Sequence, residues 1–130
     1  MGLERADFLR ARAAAFLEAA RSDLSRGDYD LVLFHAEQAI QLCLKHLIFS
    51  RVGDFPKTHS LVRLIREALK LGGIPGLREL YEENLEMIYL LEEAYISSRY
   101  LPHSYGRDIA ERALRFAEHA LGVLGCLRRA

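Results

Sequence analysis

The sequence predicts an all-α protein, an up-and-down bundle of four to five helices that forms one domain over residues 1–130. Apolar residues recur every three to four positions along most of the chain, and the alternation typical of half-buried strands is nearly absent. Pro56, Pro75 and Pro102 all fall between these periodic segments. A length of 130 residues suits one domain with a single hydrophobic core.

The helix boundaries follow from glycines, prolines and capping residues. The first helix is predicted from Leu3 to Arg26, because Gly27 can adopt the left-handed conformation that ends a helix. The second begins near Asp28 or Asp30, both good N-caps, and runs to about Ser50. The other three predicted helices run from Thr58 or Ser60 to Leu71, from Gly76 to Ser98, and from Asp108 to Arg128 and Arg129. Short connections between long helices favour antiparallel neighbours.

The second predicted helix has a wide apolar arc, which places it at the centre of the bundle. Its other side mixes hydrogen-bonding and large apolar residues, as an interface or the wall of a cleft does. Lys45 is the only lysine of this helix, and among apolar neighbours it needs an acidic partner or an anionic ligand. The residues of this mixed side are His35, Gln38, Gln41, Lys45, Leu31, Phe34, Leu42 and Phe49.

The fourth predicted helix has an inward apolar stripe that includes Leu85, Ile88 and Leu91. Its glutamates cluster on the opposite side and are predicted to form a solvated face. A metal site on these carboxylates would need matching ligands from other helices, and the sequence offers none. The glutamates concerned are Glu79, Glu82, Glu83, Glu86 and Glu93.

Composition limits the classes of function. Eighteen basic and 18 acidic residues cancel, which argues against a general nucleic-acid coat protein. Cys43 and Cys126 have no ligand-spaced partner, so we expect two small core residues with reduced thiols and no zinc. Charges interrupt the first apolar residues, and the apolar stretches are too short to span a bilayer. We therefore expect a cytoplasmic protein without a metal or cofactor, and neither DNA nor a membrane as a partner.

The segment Ser98-Arg99-Tyr100-Leu101-Pro102-His103 places an arginine, a tyrosine and a histidine at a helix end and in the following loop. Arginine can hold a phosphate through two parallel hydrogen bonds, and histidine can move protons near neutral pH. Arg99 and His103 are therefore candidate catalytic residues, able to bind an RNA phosphate and assist cleavage by the neighbouring 2′-hydroxyl. The alternative is structural, with Arg99 paired to a glutamate and Tyr100 packed on the second helix.

His59 has two interpretations of its own. It follows Thr58 at the start of the third predicted helix, where it can face a cleft or make a local capping contact.

The order and spacing of several short segments resemble the HEPN domain family of small helical-bundle proteins. The resemblance covers most of the chain. It rests on Asp23-Leu24, Gly27-Asp28-Tyr29, Phe34, Glu37-Gln38-Ala39, Leu44-Lys45, Thr58-His59-Ser60-Leu61, and Ser98-Arg99-Tyr100 with Pro102.

This resemblance implies a helical-bundle fold, a homodimer and a nucleotide or RNA as ligand. Many members work beside a minimal nucleotidyltransferase, in toxin–antitoxin or two-part enzyme systems. Ribonuclease members carry an Arg-x4–6-His motif, whereas Arg99 and His103 have three residues between them. By the resemblance, Lys45, His59, Arg99 and Tyr100 line a nucleotide- or partner-binding cleft between the second helix and the loop after the fourth.

Three functions are compatible with these features. The first is a non-catalytic HEPN-like module that dimerises and binds a nucleotide or a nucleotidyltransferase partner, and the short Arg99–His103 spacing favours it. The second is a metal-independent ribonuclease toxin that uses Arg99 and His103. The third is a helical scaffold that dimerises without a ligand.

Overall fold

The computed structural model describes residues 2–100 and 105–127, with the backbone alone for Gly2, Leu3 and Arg99. Within these ranges the chain forms six α-helices and no strands. The all-α prediction is confirmed, and the predicted number of four to five helices is too low by one. The helices are α1 (Gly2–Arg26), α2 (Tyr29–Val52), α3 (Leu61–Leu71), α4 (Leu77–Glu83), α5 (Leu85–Tyr100) and α6 (Arg107–Leu124).

The additional helix arises at Asn84, which divides the helix predicted from Gly76 to Ser98. Asn84 leaves helical geometry at φ −130° and ψ 27°, and its Nδ2 donates to the Leu80 carbonyl at 2.9 Å. The break shifts the phase of the apolar pattern, so Leu85 is 39% exposed and its predicted inward position is wrong. The predicted solvated face is confirmed, because all five of its glutamates are exposed.

The helix directions follow from contacts between residues far apart in sequence. α1 and α2 are antiparallel, because Ala6 meets His46 whereas Asp23 meets His35. α6 runs parallel to α2, because Tyr105 before α6 lies at Asp30 and Cys126 after α6 lies at Cys43. α5 is antiparallel to α2, with Ser98 at Asp30 and Tyr95 at Phe34. The four long helices therefore alternate in direction along the chain.

The predicted central position of the second helix is confirmed. α2 contacts α1, α3, α5 and α6, and half of its 24 residues are buried. Gly53 ends α2 in the left-handed conformation at φ 80°, and its N–H donates to the Phe49 carbonyl at 2.8 Å. None of the helices in the described parts of the chain combines the length and apolar character needed to cross a membrane.

The two cysteines form a disulfide, so the prediction of separate reduced thiols is wrong. Cys43 in the middle of α2 is bonded to Cys126, which lies in the turn after α6. Both residues are buried, as predicted, and their Cα atoms are 6.1 Å apart. Sequence spacing does not predict the pairing, because the two cysteines are 83 positions apart and the parallel packing of α6 on α2 brings them together. The bond joins the carboxyl end of the described chain to the central helix.

Candidate functional site

An open cleft lies between the beginning of α3 and the C-terminal half of α5, with a volume of about 510 Å³. Aromatic and apolar side chains make up much of its wall, and two of them are far more exposed than is usual for their type, Ile96 at 60% and Tyr100 at 69%. The cleft is lined by His59, Ser60, Glu92, Tyr95, Ile96 and Tyr100.

The turn before α3 fixes the position of His59. The Ser60 N–H donates to Thr58 Oγ1 at 3.1 Å, a local side-chain contact that shapes the loop. Ser60 is the N-cap of α3, since its Oγ accepts from the Arg63 N–H at 3.1 Å. The capping role considered for His59 therefore belongs to Ser60, and the His59 ring is left to face the cleft.

Glu92 of α5 ties the two walls of the cleft together. Its Oε1 accepts from Ser60 Oγ at 2.8 Å and from the Val62 N–H at 3.1 Å. The second bond satisfies one of the first N–H groups of α3, and a carboxylate is favourable at this positive helix end. The contact also places a carboxylate in the cleft wall.

A series of aromatic rings leads from the cleft into the bundle. His59 stacks on Tyr95 with centroids 5.2 Å apart, and Tyr95 stacks on Phe34 at 5.9 Å and an interplanar angle of 8°. Phe34 meets His35 edge-on at 5.3 Å, and His35 meets Phe16 at 5.7 Å. Such ring pairs add stability beyond the area that they bury, and this series holds the cleft side of Tyr95 in place.

Glu37, Gln41 and Lys45 of α2 are joined by hydrogen bonds that continue to His59 at the cleft. These four residues are here called the polar relay. Gln41 Oε1 receives Lys45 Nζ at 3.1 Å and lies 3.1 Å from His59 Nδ1. Gln41 Nε2 donates to Glu37 Oε2 at 2.9 Å, and Gln38 Nε2 donates to Glu37 Oε1 at 3.0 Å. Glu37, Gln41 and Lys45 are 0%, 3% and 9% exposed, so the relay is shielded from water up to His59.

Burial dominates the electrostatics of the relay. Burial raises the pKa of Glu37 from 4.5 to about 7, against the hydrogen bonds from Gln38 and Gln41; Glu92 adds to the increase and Lys45 opposes it. Burial likewise lowers the pKa of Lys45, and the charge of Glu37 opposes that shift. The Lys45 ammonium also lies 5.4 Å from the centroid of the Phe55 ring. Lys45 thus has the acidic partner that its apolar surroundings require, reached through Gln41.

The predicted binding residues meet only in part. His59 and Tyr100 both line the cleft, whereas Lys45 lies behind it and reaches His59 through Gln41. Arg99 is in the last turn of α5, beside Tyr100, and His103 lies outside the described residues. The polar centre of the mixed side of α2, which its composition predicts to be an interface or cleft wall, is instead buried inside the chain.

A second buried carboxylate, not predicted as a site, holds the connection between α1 and α2. Asp23 is 1% exposed and receives Arg26 Nη2 at 2.6 Å and His35 Nδ1 at 2.5 Å. Its backbone carbonyl accepts from the Asp28 N–H at 2.9 Å. With its charge paired and its hydrogen bonds local, this cluster fixes the turn between the helices.

Sequence reasoning misses several residues of the site. The apolar pattern of α5 alone does not show which of its turns meet the start of α3. Glu92, Tyr95 and Ile96 are therefore not identified as site residues from the sequence. Glu37, Gln41 and Lys45 carry a usable signal, since a spacing of four places three polar residues on one side of an otherwise apolar helix.

Comparison with known proteins gives a family and a fold relative. The model of the HEPN domain matches residues 6–127. The structure resembles the crystal structure of TT1696 from Thermus thermophilus with a TM-score of 0.78 and 29% sequence identity, over 93% of this chain and 96% of that one. No curated protein gives a significant match. Since the family model spans nearly the whole chain, this protein belongs to the HEPN domain family.

Proposed function

We propose that this HEPN protein is a non-catalytic module that dimerises, binds a nucleotide in the cleft between α3 and α5, and works with a minimal nucleotidyltransferase. The observation that carries the proposal is the exposed aromatic surface of Tyr100 in an open cleft. Stacking of a base on an aromatic side chain contributes about 1–3 kcal/mol. A cleft of about 510 Å³ lies within the range of sites that hold small molecules.

Calorimetric titration of the protein with ATP and GTP tests nucleotide binding. We expect heat of binding from wild type and a clear loss of affinity in Tyr100→Ala, because that variant removes an exposed aromatic surface of the cleft. Phe8→Ala is the matched control, since Phe8 is a 55% exposed aromatic residue of α1 that does not line the cleft. If neither ATP nor GTP gives heat of binding, this part of the proposal is overturned.

An exposed apolar stripe on α5 supports the proposed homodimer. Leu85 and Tyr89 lie about one turn apart at the start of α5, outside the cleft, and are 39% and 52% exposed. Exposed apolar residues that are contiguous along one helix are typical of a protein interface. A homodimer across a two-fold axis would cover this stripe on both copies at once.

Light scattering coupled to size-exclusion chromatography tests the dimer. We expect a dimeric mass for wild type and a monomeric mass for Tyr89→Glu, which puts a charge in the stripe. Val52→Glu is the control, because Val52 is 57% exposed on α2 and lies outside the stripe. A monomeric wild type, or a dimer insensitive to Tyr89→Glu, would contradict this assignment of the interface.

Membership in the HEPN family supports a nucleotidyltransferase as the proposed partner. Co-expression of the chain with a minimal nucleotidyltransferase from the same genome, followed by affinity purification of one component, is the direct test. Recovery of both proteins in a fixed ratio supports the two-part system, including its toxin–antitoxin form. Recovery of the tagged component alone removes the partner from the proposal.

A metal-independent ribonuclease that uses Arg99 and His103 is the second candidate. The observation that favours it is the backbone position of Arg99 in the last turn of α5, next to a cleft residue. Wild type, Arg99→Ala and His103→Ala are incubated with a structured RNA in EDTA. Cleavage by wild type alone establishes the ribonuclease, and absence of cleavage by all three leaves the binding module.

A further inference from the structure

The hydrogen bonds of the polar relay determine which nitrogen of His59 carries the proton. Lys45 Nζ has only donors, so the Gln41 side-chain atom that it meets must be the carbonyl oxygen. The Gln41 amide nitrogen is thereby directed to Glu37 Oε2, at 2.9 Å, which only accepts when ionised. Lys45 therefore fixes the orientation of the Gln41 amide, and the ionised form of Glu37 accepts from the amide nitrogen in that orientation.

This orientation leaves one role for His59 Nδ1. It lies 3.1 Å from Gln41 Oε1, an oxygen that can only accept, so Nδ1 must be the N–H donor. In the neutral imidazole the other nitrogen, Nε2, then carries the lone pair and accepts hydrogen bonds. His59 is exposed and its ring lines the cleft, where stacking on Tyr95 holds the ring plane.

Glu92 places a second acceptor in the cleft wall beside His59. Glu92 contributes a carboxylate, and Oε1 already receives two protein donors. A carboxylate repels the phosphates of a nucleotide, whereas an amino group on an aromatic ring is attracted to both acceptors. The donor-bearing edge of the ligand therefore enters the cleft, and its phosphates remain outside.

From this geometry we infer that His59 Nε2 is a specificity-determining acceptor, held in that state by Gln41, that reads an amino group on the nucleobase. The inference rests on the proposed nucleotide site and deepens it by naming the chemistry of the ligand. Gln41 is a positioning residue, because it acts through His59 and is itself buried. A base without an N–H donor stacks equally well and lacks the hydrogen bond.

Two-bond ¹H–¹⁵N correlation spectra of the full chain test the positioning step without any ligand. We expect His59 of wild type to be protonated at Nδ1. In Gln41→Met, His59 should lose its preference for the Nδ1 proton, while the signals of the other histidines are unchanged. Gln38→Met is the matched control, because Gln38 also donates to Glu37 and does not touch His59. A wild-type His59 protonated at Nε2 would overturn the assignment of the tautomer.

The ligand half is tested with adenosine and purine riboside, which differ by one amino group. We expect wild type to bind adenosine about five- to tenfold more tightly, the ratio that one net hydrogen bond gives. His59→Phe keeps the ring on Tyr95 and removes the acceptor, so the two nucleosides should bind it alike. Equal affinities in wild type overturn the acceptor role. Failure of both nucleosides to bind overturns the proposed nucleotide site and the ligand half with it, while the spectra judge the tautomer separately.

Discussion

The two sides of α2 solve the same packing problem by different means. On one side Ala36, Ala39 and Cys43 are fully buried, and Cys43 is bonded to the turn after α6. About half a turn around the helix, Glu37, Gln41 and Lys45 of the polar relay are also buried, and they are held by hydrogen bonds. Both sides are closed to water, and the second one leads to His59 and the cleft between α3 and α5.

The difference shows what each kind of burial gives a protein. Small apolar residues allow helices to approach closely, and their stabilisation depends on area and packing. Buried polar groups contribute little net stability and impose one hydrogen-bonding arrangement, because leaving any member unpaired is costly. The apolar side therefore holds the fold together, and the polar side fixes the orientation of His59.

Breaking the apolar side is expected to have the largest effect. Replacing both Cys43 and Cys126 with Ala removes a cross-link between residues 83 positions apart, worth about 4 kcal/mol in the chain-entropy model. Urea unfolding of the double variant and wild type, both without reductant, measures the loss. The intact mass of unreduced wild type checks the bond, and a mass with two free thiols would contradict it.

Changing pH tests the polar side through Glu37. Burial raises the pKa of the Glu37 carboxyl from its ordinary 4.5 to about 7. Between these two pH values the folded state therefore binds more protons than the unfolded state. The contribution of Glu37 to the free energy of unfolding is fully present below its ordinary pKa and is lost as pH rises through about 7. The total loss is about 3 kcal/mol. Glu37→Gln does not titrate and should gain this amount relative to wild type on going from acid to mildly alkaline pH. The free energy of unfolding of both proteins against pH measures the gain, and parallel curves would contradict it.

A double-mutant cycle within the relay gives the next largest effect. Gln41→Leu leaves donors on Lys45 and His59 and an oxygen of Glu37 without partners, at a cost of about 1–3 kcal/mol. Adding Lys45→Met should recover part of that cost, because the buried ammonium is then gone. Urea unfolding of the two single variants and the double variant gives the coupling. Strict additivity would show that the relay does not act as a unit.

The smallest effect on stability is expected where the polar side reaches the cleft. Ile96 is 60% exposed, so Ile96→Ala should change the free energy of unfolding by less than about 0.5 kcal/mol. Its affinity for ATP should nonetheless fall, because Ile96 lines the cleft. Leu91→Ala, at a fully buried position of the same helix, should cost about 2–5 kcal/mol. A large loss of stability in Ile96→Ala would show that this residue belongs to the core.

Local patterns predict most of the fold. Gly27 ends the first helix region as predicted, and the central position of α2 follows from its wide apolar arc. The break at Asn84 is not predictable in this way, because asparagine is tolerated in helices and its side-chain bond to the Leu80 carbonyl is one of several local hydrogen bonds that asparagine can make. The disulfide escapes prediction for a stronger reason, since nothing in the sequence says which distant helix packs on Cys43.

The candidate site is predictable only at its ends. His59 and Tyr100 stand beside a helix start and a helix end, where cleft residues are common, and both line the cleft. The family resemblance and the charge of Lys45 predict that this residue lies in the cleft. It lies instead behind His59, and both side chains contact the Gln41 side chain. Glu92 enters the site because it caps the start of α3, a contact across 30 residues or more.

In the proposed site, the nucleotide binds in the cleft between α3 and α5 with its base inside and its phosphates outside. Titrating ATP into the ¹⁵N-labelled protein and mapping the perturbed amide signals tests it directly. We expect perturbations concentrated at the residues that line the cleft, which are His59, Ser60, Glu92, Tyr95, Ile96 and Tyr100. Perturbations that instead follow the groove lined by Arg112, Arg115 and His119, where phosphate would meet positive charge, would contradict it.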